Sequence, residues 1–348
     1  MFFWPLGINQ AATGARLRIR GVEYEHGLGM RTPCLTGLSR LSRGVKTRSI
    51  KHLPEFAVLT YEFTKGKRSM KYNSTLMKEA LREFNDQGYT VLRGVIDAAT
   101  LDAAQSACER LVDELALRRH SEGKADNLHP NEPFTRRMIR LYEHHPDETP
   151  AIFRQELHLP GFFGLFAHLH MLDFAEQLVG SEVRLYPNYS VRPKMPDSPR
   201  TEVLWHQDAG YTAADADTLR MMNVWVPLVK ADRHNGCMEF VPGSHRQGVV
   251  AHEQDKHYLR IADEVIRKLE ARAVAIEAAP CDAVLFSNLL FHRGLPNRSD
   301  HIRWSLDFRY QDATQPTMRQ EHGYLLRSQQ HPAEVVRDAT HWSSLRFE

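Results

Sequence analysis

Residues 291–311 read FHRGLPNRSDHIRWSLDFRYQ, which is the end of one apolar strand, a turn rich in Gly, Pro and Asn, and a second strand. Apolar and polar side chains alternate in the second strand from Arg303 onwards, so one of its faces is apolar and the other polar. Similar short segments lie between turns from Gly180 onwards: VRLYPNYSVRPK, VLWHQDAGY, MMNVWVPLV, CMEFVPGS, AVAIEAAP and AVLFSNLLFHRG. Short strands without crossover helices predict an antiparallel sandwich or jelly roll.

Helical patterns precede these strands. Apolar residues recur at helical spacing after the N-cap residue Ser74, and again from Ala98 to His120. One further apolar helix is predicted from Gly161 to Gly180, whereas the polar, proline-containing residues 121–150 predict an irregular surface segment. Helices followed by strands indicate an α+β protein, which we expect to be a double-stranded β-helix (a cupin-like jelly roll) braced by N-terminal helices.

The charge distribution divides the chain of 348 residues. Residues 1–70 contain twelve Lys and Arg but only four Asp and Glu, although the net charge of the whole chain is +2. We therefore predict a basic, poorly ordered extension over 1–70, one domain over 71–330 and a C-terminal tail over 331–348. Within the extension, Leu17–Pro33 resembles the core motif of the NPCBM carbohydrate-associated domain, and Met70 is a candidate for the functional start.

Composition excludes several kinds of protein. No apolar run approaches the ~20 residues of a membrane span, so no membrane association is expected. The part after residue 70 is mildly acidic, which argues against nucleic acid as a partner. Four cysteines without a CxxC motif fit a reducing compartment, and we predict a cytoplasmic protein. The oligomeric state does not follow from the sequence.

A metal site is suggested by His206 and Asp208 in VLWHQDAGY. On a strand, residues two apart point to the same face, so both side chains would project together. Two ligands hold a divalent ion weakly, and His292, at the end of an apolar strand, is the best candidate for a third. Two imidazoles and one carboxylate are typical of non-haem Fe(II) oxygenases, whereas zinc prefers a closed or a hydrolytic site.

A basic residue strengthens this interpretation. Arg303 lies eleven residues after His292 on the next strand, and it shares a strand face with Ser305. A guanidinium and a hydroxyl group so placed suit the binding of a carboxylate. The alternative is a surface ion pair of Arg303 with Asp300 or Asp307.

Four segments together resemble the phytanoyl-CoA dioxygenase family of Fe(II)/2-oxoglutarate-dependent oxygenases. They are WHQD (205–208), NVWVPL (223–228), HNGCMEFVPGSHRQG (234–248) and FHRGLPNRSDHIRWSLDFRYQ (291–311). The segments occur in the family's order and spacing, and the resemblance extends over roughly Ser74–Arg327.

The resemblance implies an iron site and a co-substrate site. His206, Asp208 and His292 would bind Fe(II). Arg303 would bind the distal carboxylate of 2-oxoglutarate, and Ser305 would assist it. The cofactors implied are thus Fe(II), 2-oxoglutarate and O2.

Three further residues have two interpretations each. Trp225 aligns with a tryptophan that lines the co-substrate pocket, and a core aromatic is the equal alternative. Lys194 lies where the family often places a basic residue near the site, and a surface lysine is the alternative. His245 is predicted to cap a turn rather than to bind a metal.

The implied reaction is hydroxylation of an unactivated C–H bond of a small metabolite, with release of succinate and CO2. Halogenating relatives have a small residue in place of Asp208, so hydroxylation or a related desaturation is expected here. Six residues are predicted to face the substrate: Tyr186, Asn188, Ser190, Arg192, Asn288 and Arg309. Their polarity indicates a small and anionic substrate, although an acyl-CoA stays open.

Two other classes of protein stay open. A catalytically silent jelly roll that binds a metabolite or a protein would not need the three metal ligands together with Arg303. A zinc or manganese cupin-like enzyme typically has more histidines on one strand and no use for a carboxylate-binding arginine. Formation of succinate from 2-oxoglutarate separates the three classes.

Overall fold

Helices pack on one side of a framework of short strands. The computed structural model of the protein describes residues 74–211, 216–254 and 259–346. The helices are α1 (Ser74–Gln87), α2 (Ala98–Ser121), α3 (Phe134–Tyr142), α4 (Pro160–Phe166), α5 (Leu169–Val179), α6 (Asp263–Ile266) and α7 (Ala339–Ser344). The basic extension, its NPCBM-like segment and Met70 lie outside the described residues.

Thirteen strands are present in the described part of the chain. They are β1 (Tyr89–Leu92), β2 (Val183–Leu185), β3 (Ser190–Lys194), β4 (Val203–His206), β5 (Met221–Pro227), β6 (Met238–Phe240), β7 (His252–Gln254), β8 (Leu259–Ile261), β9 (Val274–Ile276), β10 (Ala283–Ser287), β11 (His292–Gly294), β12 (Arg303–Asp312) and β13 (Tyr324–Arg327).

The strands form two main antiparallel sheets. The larger sheet has the order β1, β10, β5, β12, and the other edge of β12 pairs with β3 and then with β2, which pairs with β13. The smaller sheet has the order β4, β11, β6, β9, and β7 and β8 form a separate pair. The predicted α+β jelly roll with bracing helices is confirmed.

Strand β12 separates the helical core from the space between the sheets. Its apolar residues join the buried cluster that includes the helices: Trp304, Leu306, Phe308 and Tyr310. The intervening polar residues line a cavity: Arg303, Ser305, Asp307 and Arg309. The alternation read from the sequence therefore assigns both faces of this strand correctly.

Two local predictions are wrong. Residues 121–150 are not irregular throughout, because α3 lies within them and buries Met138 and Leu141. Pro133 immediately precedes α3, where a proline does not interrupt helical hydrogen bonds. The helix predicted from Gly161 to Gly180 is two helices, because the backbone of His168 is extended (φ −64°, ψ 121°).

The C-terminal residues up to 346 pack against the helical side of the domain. Trp342 is fully buried, and its ring stacks on His158 with 4.2 Å between the ring centroids. Its Nε1–H donates a hydrogen bond of 2.9 Å to the carbonyl of Leu157. These residues therefore contribute to the hydrophobic core.

None of the helices in the described part of the chain combines the length and the apolarity needed to span a bilayer. The buried cysteines Cys108 and Cys237 are free thiols.

We predict that Trp342→Ala lowers the free energy of unfolding by about 3–5 kcal/mol, because it removes a fully buried indole and leaves a cavity. Urea unfolding followed by circular dichroism measures the change. Thr340→Ala, at an exposed position of the same helix, is the control and should have little effect. Equal stability of the two variants would show that the tail does not support the domain.

Candidate active site

The pairing of β4 with β11 brings two histidines together. His206 and His292 are direct partners in the antiparallel register, and their ring centroids are 4.0 Å apart. Asp208 joins them, with 3.8 Å between its Oδ1 and Nε2 of His206. One ligand atom from each of the three residues lies within 4.8 Å of the others, close enough to bind one metal ion.

Asp208 reaches this point by a turn and not by strand alternation. Strand β4 ends at His206, and Asp208 begins a short 3-10 turn. The expectation that both side chains share one strand face is therefore wrong, although the residues do converge. The chain leaves the sheet between them, so the turn sets the position of the carboxylate.

A buried amide holds this turn in place. The Gln207 Nε2–H2 group donates to the carbonyls of Gly248 (2.8 Å) and Leu289 (2.7 Å), and its Oε1 accepts from the backbone N–H of Val250 (2.9 Å). Gln207 is fully buried, so these bonds have no competition from water. Gln207, which lies between the two candidate ligands, thus fixes the position of the backbone that carries Asp208.

Hydrogen bonds orient both imidazoles. Nδ1 of His206 lies 2.8 Å from the carbonyl of Leu204, and Nδ1 of His292 lies 2.9 Å from the carbonyl of Leu290. A carbonyl can only accept, so Nδ1 carries the proton in both rings and Nε2 keeps its lone pair for a metal. Burial lowers both imidazole pKa values, that of His206 to about 3, so both rings are neutral at pH 7.

Arg309 keeps Asp208 ionised. Burial alone would raise the pKa of Asp208, but the Arg309 guanidinium, followed by the two imidazoles, lowers it below its usual value. Nη2 of Arg309 lies 2.8 Å from Oδ1 of Asp208, and Nη1 donates to the carbonyl of Asn188 at 2.8 Å. Two neutral imidazoles and one carboxylate are a donor set that suits Fe(II).

A second buried arginine lies in the same cavity. Arg303 is 4% exposed, its Nε–H donates to the carbonyl of Gly236 at 3.2 Å, and its Nη1 donates to the hydroxyl of Ser305. Its guanidinium carbon lies 5.3 Å from the ring centroid of Trp225. Burial lowers the pKa of Arg303 to about 10, so it stays charged at pH 7.

The burial and the contacts of Arg303 and Trp225 bear on the alternatives for both residues. Arg303 is buried and makes no ion pair with a carboxylate of the described residues, whereas Asp300 pairs with Arg136 at the surface. The surface ion pair is therefore wrong. Trp225 belongs to the buried cluster between the sheets, as the core interpretation expects, and it also lines the cavity, where contact with a co-substrate stays a prediction.

Lys194 does not line the cavity, which corrects its predicted position beside the co-substrate. It is 3% exposed, so the surface alternative is wrong as well. Its Nζ donates to the carbonyls of Thr201 (3.1 Å) and Gly294 (3.4 Å). The side chain passes behind Gly236 and Gly294, where a Cβ would lie 2.6 Å from its Cε and 3.2 Å from its Nζ. The two glycines thus admit the lysine behind the cavity wall.

The cavity between the sheets has a volume of about 320 Å³ and contains the three candidate metal ligands together with Arg303, Ser305 and Trp225. Half of the predicted substrate-facing residues line it: Asn188, Arg192 and Arg309. The other half do not: Tyr186, Ser190 and Asn288. The segment VRLYPNYSVRPK is two strands, and Tyr186 lies between them, where strand alternation does not apply. His245 does not line the cavity, and its Nε2 lies 3.1 Å from the carbonyl of Asn85 in the last turn of α1.

Asn223, Arg154 and Arg319 line the cavity, which was not predicted from the sequence. Asn223 is 2% exposed and lines the cavity, and neither its Oδ1 nor its Nδ2 has a hydrogen-bond partner among the described residues. The alternation of side chains in β5 places Asn223 on the same face as Trp225, and this pattern in the sequence could have predicted its position. A buried amide costs free energy when unpaired, so this group suits contact with a bound ligand.

Two imidazoles and one carboxylate converge in a jelly roll beside a buried arginine, which is the arrangement of non-haem iron oxygenases that use 2-oxoglutarate. The family model of phytanoyl-CoA dioxygenase (PhyH) matches residues 84–305, so the chain belongs to the phytanoyl-CoA dioxygenase family. This confirms the resemblance, and with it the class of Fe(II)/2-oxoglutarate-dependent dioxygenases.

Two curated relatives and one solved structure are similar to the chain. Phytanoyl-CoA dioxygenase domain-containing protein 1 of Danio rerio is 24% identical over 256 residues, 66% of this chain and 87% of that protein. Ectoine dioxygenase of Sphingopyxis alaskensis is 28% identical over 181 residues, 51% of this chain and 53% of that protein. The apo form of EctD from S. alaskensis superposes with a TM-score of 0.50 at 22% identity, covering 79% of this chain and 89% of that chain.

We predict that Asn223→Leu raises the free energy of unfolding of the ligand-free protein by about 1 kcal/mol, because an unpaired buried amide is replaced by an apolar group. The same variant should lower 2-oxoglutarate turnover at least about tenfold, the loss of roughly one hydrogen bond to a ligand. Chemical denaturation and succinate release measure the two effects.

The matched control for this variant is Asn235→Leu. Asn235 is also buried, but its amide is bonded to the carbonyl of Lys230 and the N–H of Asp232. Its loss should therefore destabilise the fold. If Asn223→Leu were destabilised to the same extent, Asn223 would have a structural role and not a ligand-facing one.

Proposed function

We propose that the protein hydroxylates an unactivated C–H bond of a small molecule, with Fe(II), 2-oxoglutarate and O2, and releases succinate and CO2. The observation that carries this proposal is the convergence of His206, Asp208 and His292 in the cavity that contains the buried Arg303. Bound iron and 2-oxoglutarate would supply the oxidising chemistry, and the side chains would bind and orient the reactants.

Three residues would hold the iron. Nε2 of His206 and of His292 have their lone pairs available, since Nδ1 of each ring donates to a carbonyl. The ionised carboxylate of Asp208 would be the third ligand. Because Asp208 fills the position that halogenating relatives leave open, hydroxylation is favoured over halogenation.

Two residues would hold the co-substrate. The charged guanidinium of Arg303 and the hydroxyl of Ser305 lie on one face of β12 and suit the distal carboxylate of 2-oxoglutarate. Trp225 would form the wall beside them. Burial of Arg303 strengthens this ion pair, because little water competes for the carboxylate.

The other two classes explain fewer of these features. A binding protein without catalysis does not need two neutral imidazoles to converge with a carboxylate that Arg309 keeps ionised. A zinc or manganese cupin-like enzyme leaves the buried charge of Arg303 without a purpose. A small molecule as substrate is supported by the cavity volume of about 320 Å³ and by the name of the ectoine dioxygenase relative.

Replacement of a proposed metal ligand should abolish the reaction. We predict that Asp208→Ala and His292→Ala each release no succinate above background in the presence of Fe(II), because two ligands hold the ion weakly. His234→Ala, an exposed histidine outside the cavity, serves as the control and should keep wild-type activity. Normal succinate release by either ligand variant would refute the assignment.

Replacement of the arginine proposed to bind the co-substrate should weaken the binding of 2-oxoglutarate. We predict that Arg303→Gln raises KM for 2-oxoglutarate at least about 30-fold, equivalent to about 2 kcal/mol for the loss of a buried charge pair. Steady-state succinate release measures KM, and Arg298→Gln, at an exposed position before β12, is the charge-matched control. An unchanged KM in Arg303→Gln would place the diacid elsewhere.

A further inference from the structure

The cavity contains more positive charge than its proposed reaction requires. Five guanidinium groups line it: Arg154, Arg192, Arg303, Arg309 and Arg319. Two carboxylates line it: Asp208 and Asp307. Ferrous iron and the 2-oxoglutarate dianion cancel each other's charge when both are bound, so they leave this excess unchanged.

Three of the five arginines have a partner within the site. Arg309 is paired with Asp208, and Arg192 lies 2.7 Å from Asp307 through its Nε. Arg303 is assigned to 2-oxoglutarate by the proposed function. The other two arginines have no anionic partner in this assignment.

Those two residues are Arg154 and Arg319, which are exposed residues that line the cavity. Neither forms an ion pair with a carboxylate of the described residues, and Arg319 donates its Nε–H only to the hydroxyl of Tyr186, at 3.0 Å. Partial burial and the positive charges of Arg192, Arg309 and Arg319 lower the pKa of Arg154, although the carboxylate of Asp307 opposes this shift. The arginines are thus close enough to repel one another, and a bound anion would relieve this repulsion.

The rest of the cavity wall is partly apolar. Val203, Leu204 and Leu259 contribute to it from the side of β4 and β8. A ligand that complements both the arginines and this apolar wall has an acidic group and an aliphatic part.

We propose that the substrate of this site carries an anionic group (a carboxylate, phosphate or sulfate) that binds between Arg154 and Arg319, with an aliphatic part inside the cavity. This inference rests on the proposed function, because it assigns Arg303 to the co-substrate. Paired guanidinium groups offer several N–H donors to the oxygens of such an anion, which makes both affinity and orientation depend on them.

The test measures binding of matched six-carbon probes to the full chain loaded with Zn(II) and 2-oxoglutarate, so that no turnover occurs. Hexanoate, hexyl phosphate and hexyl sulfate share one aliphatic chain and differ in the acid, and hexanol is the neutral control. Isothermal titration calorimetry gives each dissociation constant. The variants are Arg154→Gln/Arg319→Gln and, as a control on the exposed surface of α2, Arg110→Gln.

We expect at least one anion to bind about tenfold or more tightly than hexanol, and the double variant to weaken that anion by about tenfold or more. Arg110→Gln should bind as the wild type does. The relative affinity of the three anions identifies the acid. Equal binding of hexanol, unchanged binding by the double variant, or no binding of any anion would overturn the proposal.

The affinity for 2-oxoglutarate is measured in the same variants. An equal loss of 2-oxoglutarate affinity in the double variant would assign the two arginines to the co-substrate and overturn the proposal, while the proposed function would stand. Failure of the wild-type protein to release succinate from 2-oxoglutarate would instead refute the proposed function.

Discussion

The antiparallel pairing of β4 with β11 is the constraint on which the site depends. It places His206 opposite His292, although the two residues are far apart in the chain. The backbone carbonyls two residues before each histidine then fix both rings with Nε2 available. Because Gln207 is bonded to three backbone groups, the turn that follows β4 delivers Asp208 to the same point. A ligand set is thus assembled mainly by the backbone, which limits how far it can relax before a metal binds.

The second organising feature is the compensation of buried charge. Asp208 is ionised because Arg309 lies beside it, and Arg309 is itself held by a backbone carbonyl on the other side. Arg303 has polar neighbours but forms no ion pair with a carboxylate of the described residues, which is costly in a buried position unless an acid binds there. Both arginines lie on the polar face of β12, so one strand serves the metal and the proposed diacid site together.

Much of this arrangement could be read from the sequence where a pattern is local. The alternation in β12 predicted both faces correctly, and the segment around His206 and Asp208 predicted two of the candidate ligands that converge, although for a wrong geometric reason. The family resemblance placed Lys194 at the site, but its ammonium group lies behind the cavity wall, where it donates to the carbonyls of Thr201 and Gly294. Gly294 is close to Lys194 only in the folded chain. The role of Gln207 likewise depends on partners more than 40 residues away, which no local pattern contains.

The central claim is that residues from two strands and one turn bind a single ferrous ion beside an arginine that binds 2-oxoglutarate. Anomalous diffraction at the iron edge, from crystals grown anaerobically with Fe(II) and 2-oxoglutarate, tests it most directly. The account predicts one iron peak within bonding distance of Nε2 of His206, Nε2 of His292 and the carboxylate of Asp208, with the diacid extending from the metal to Arg303. An iron peak elsewhere, or a diacid that does not contact Arg303, would contradict it.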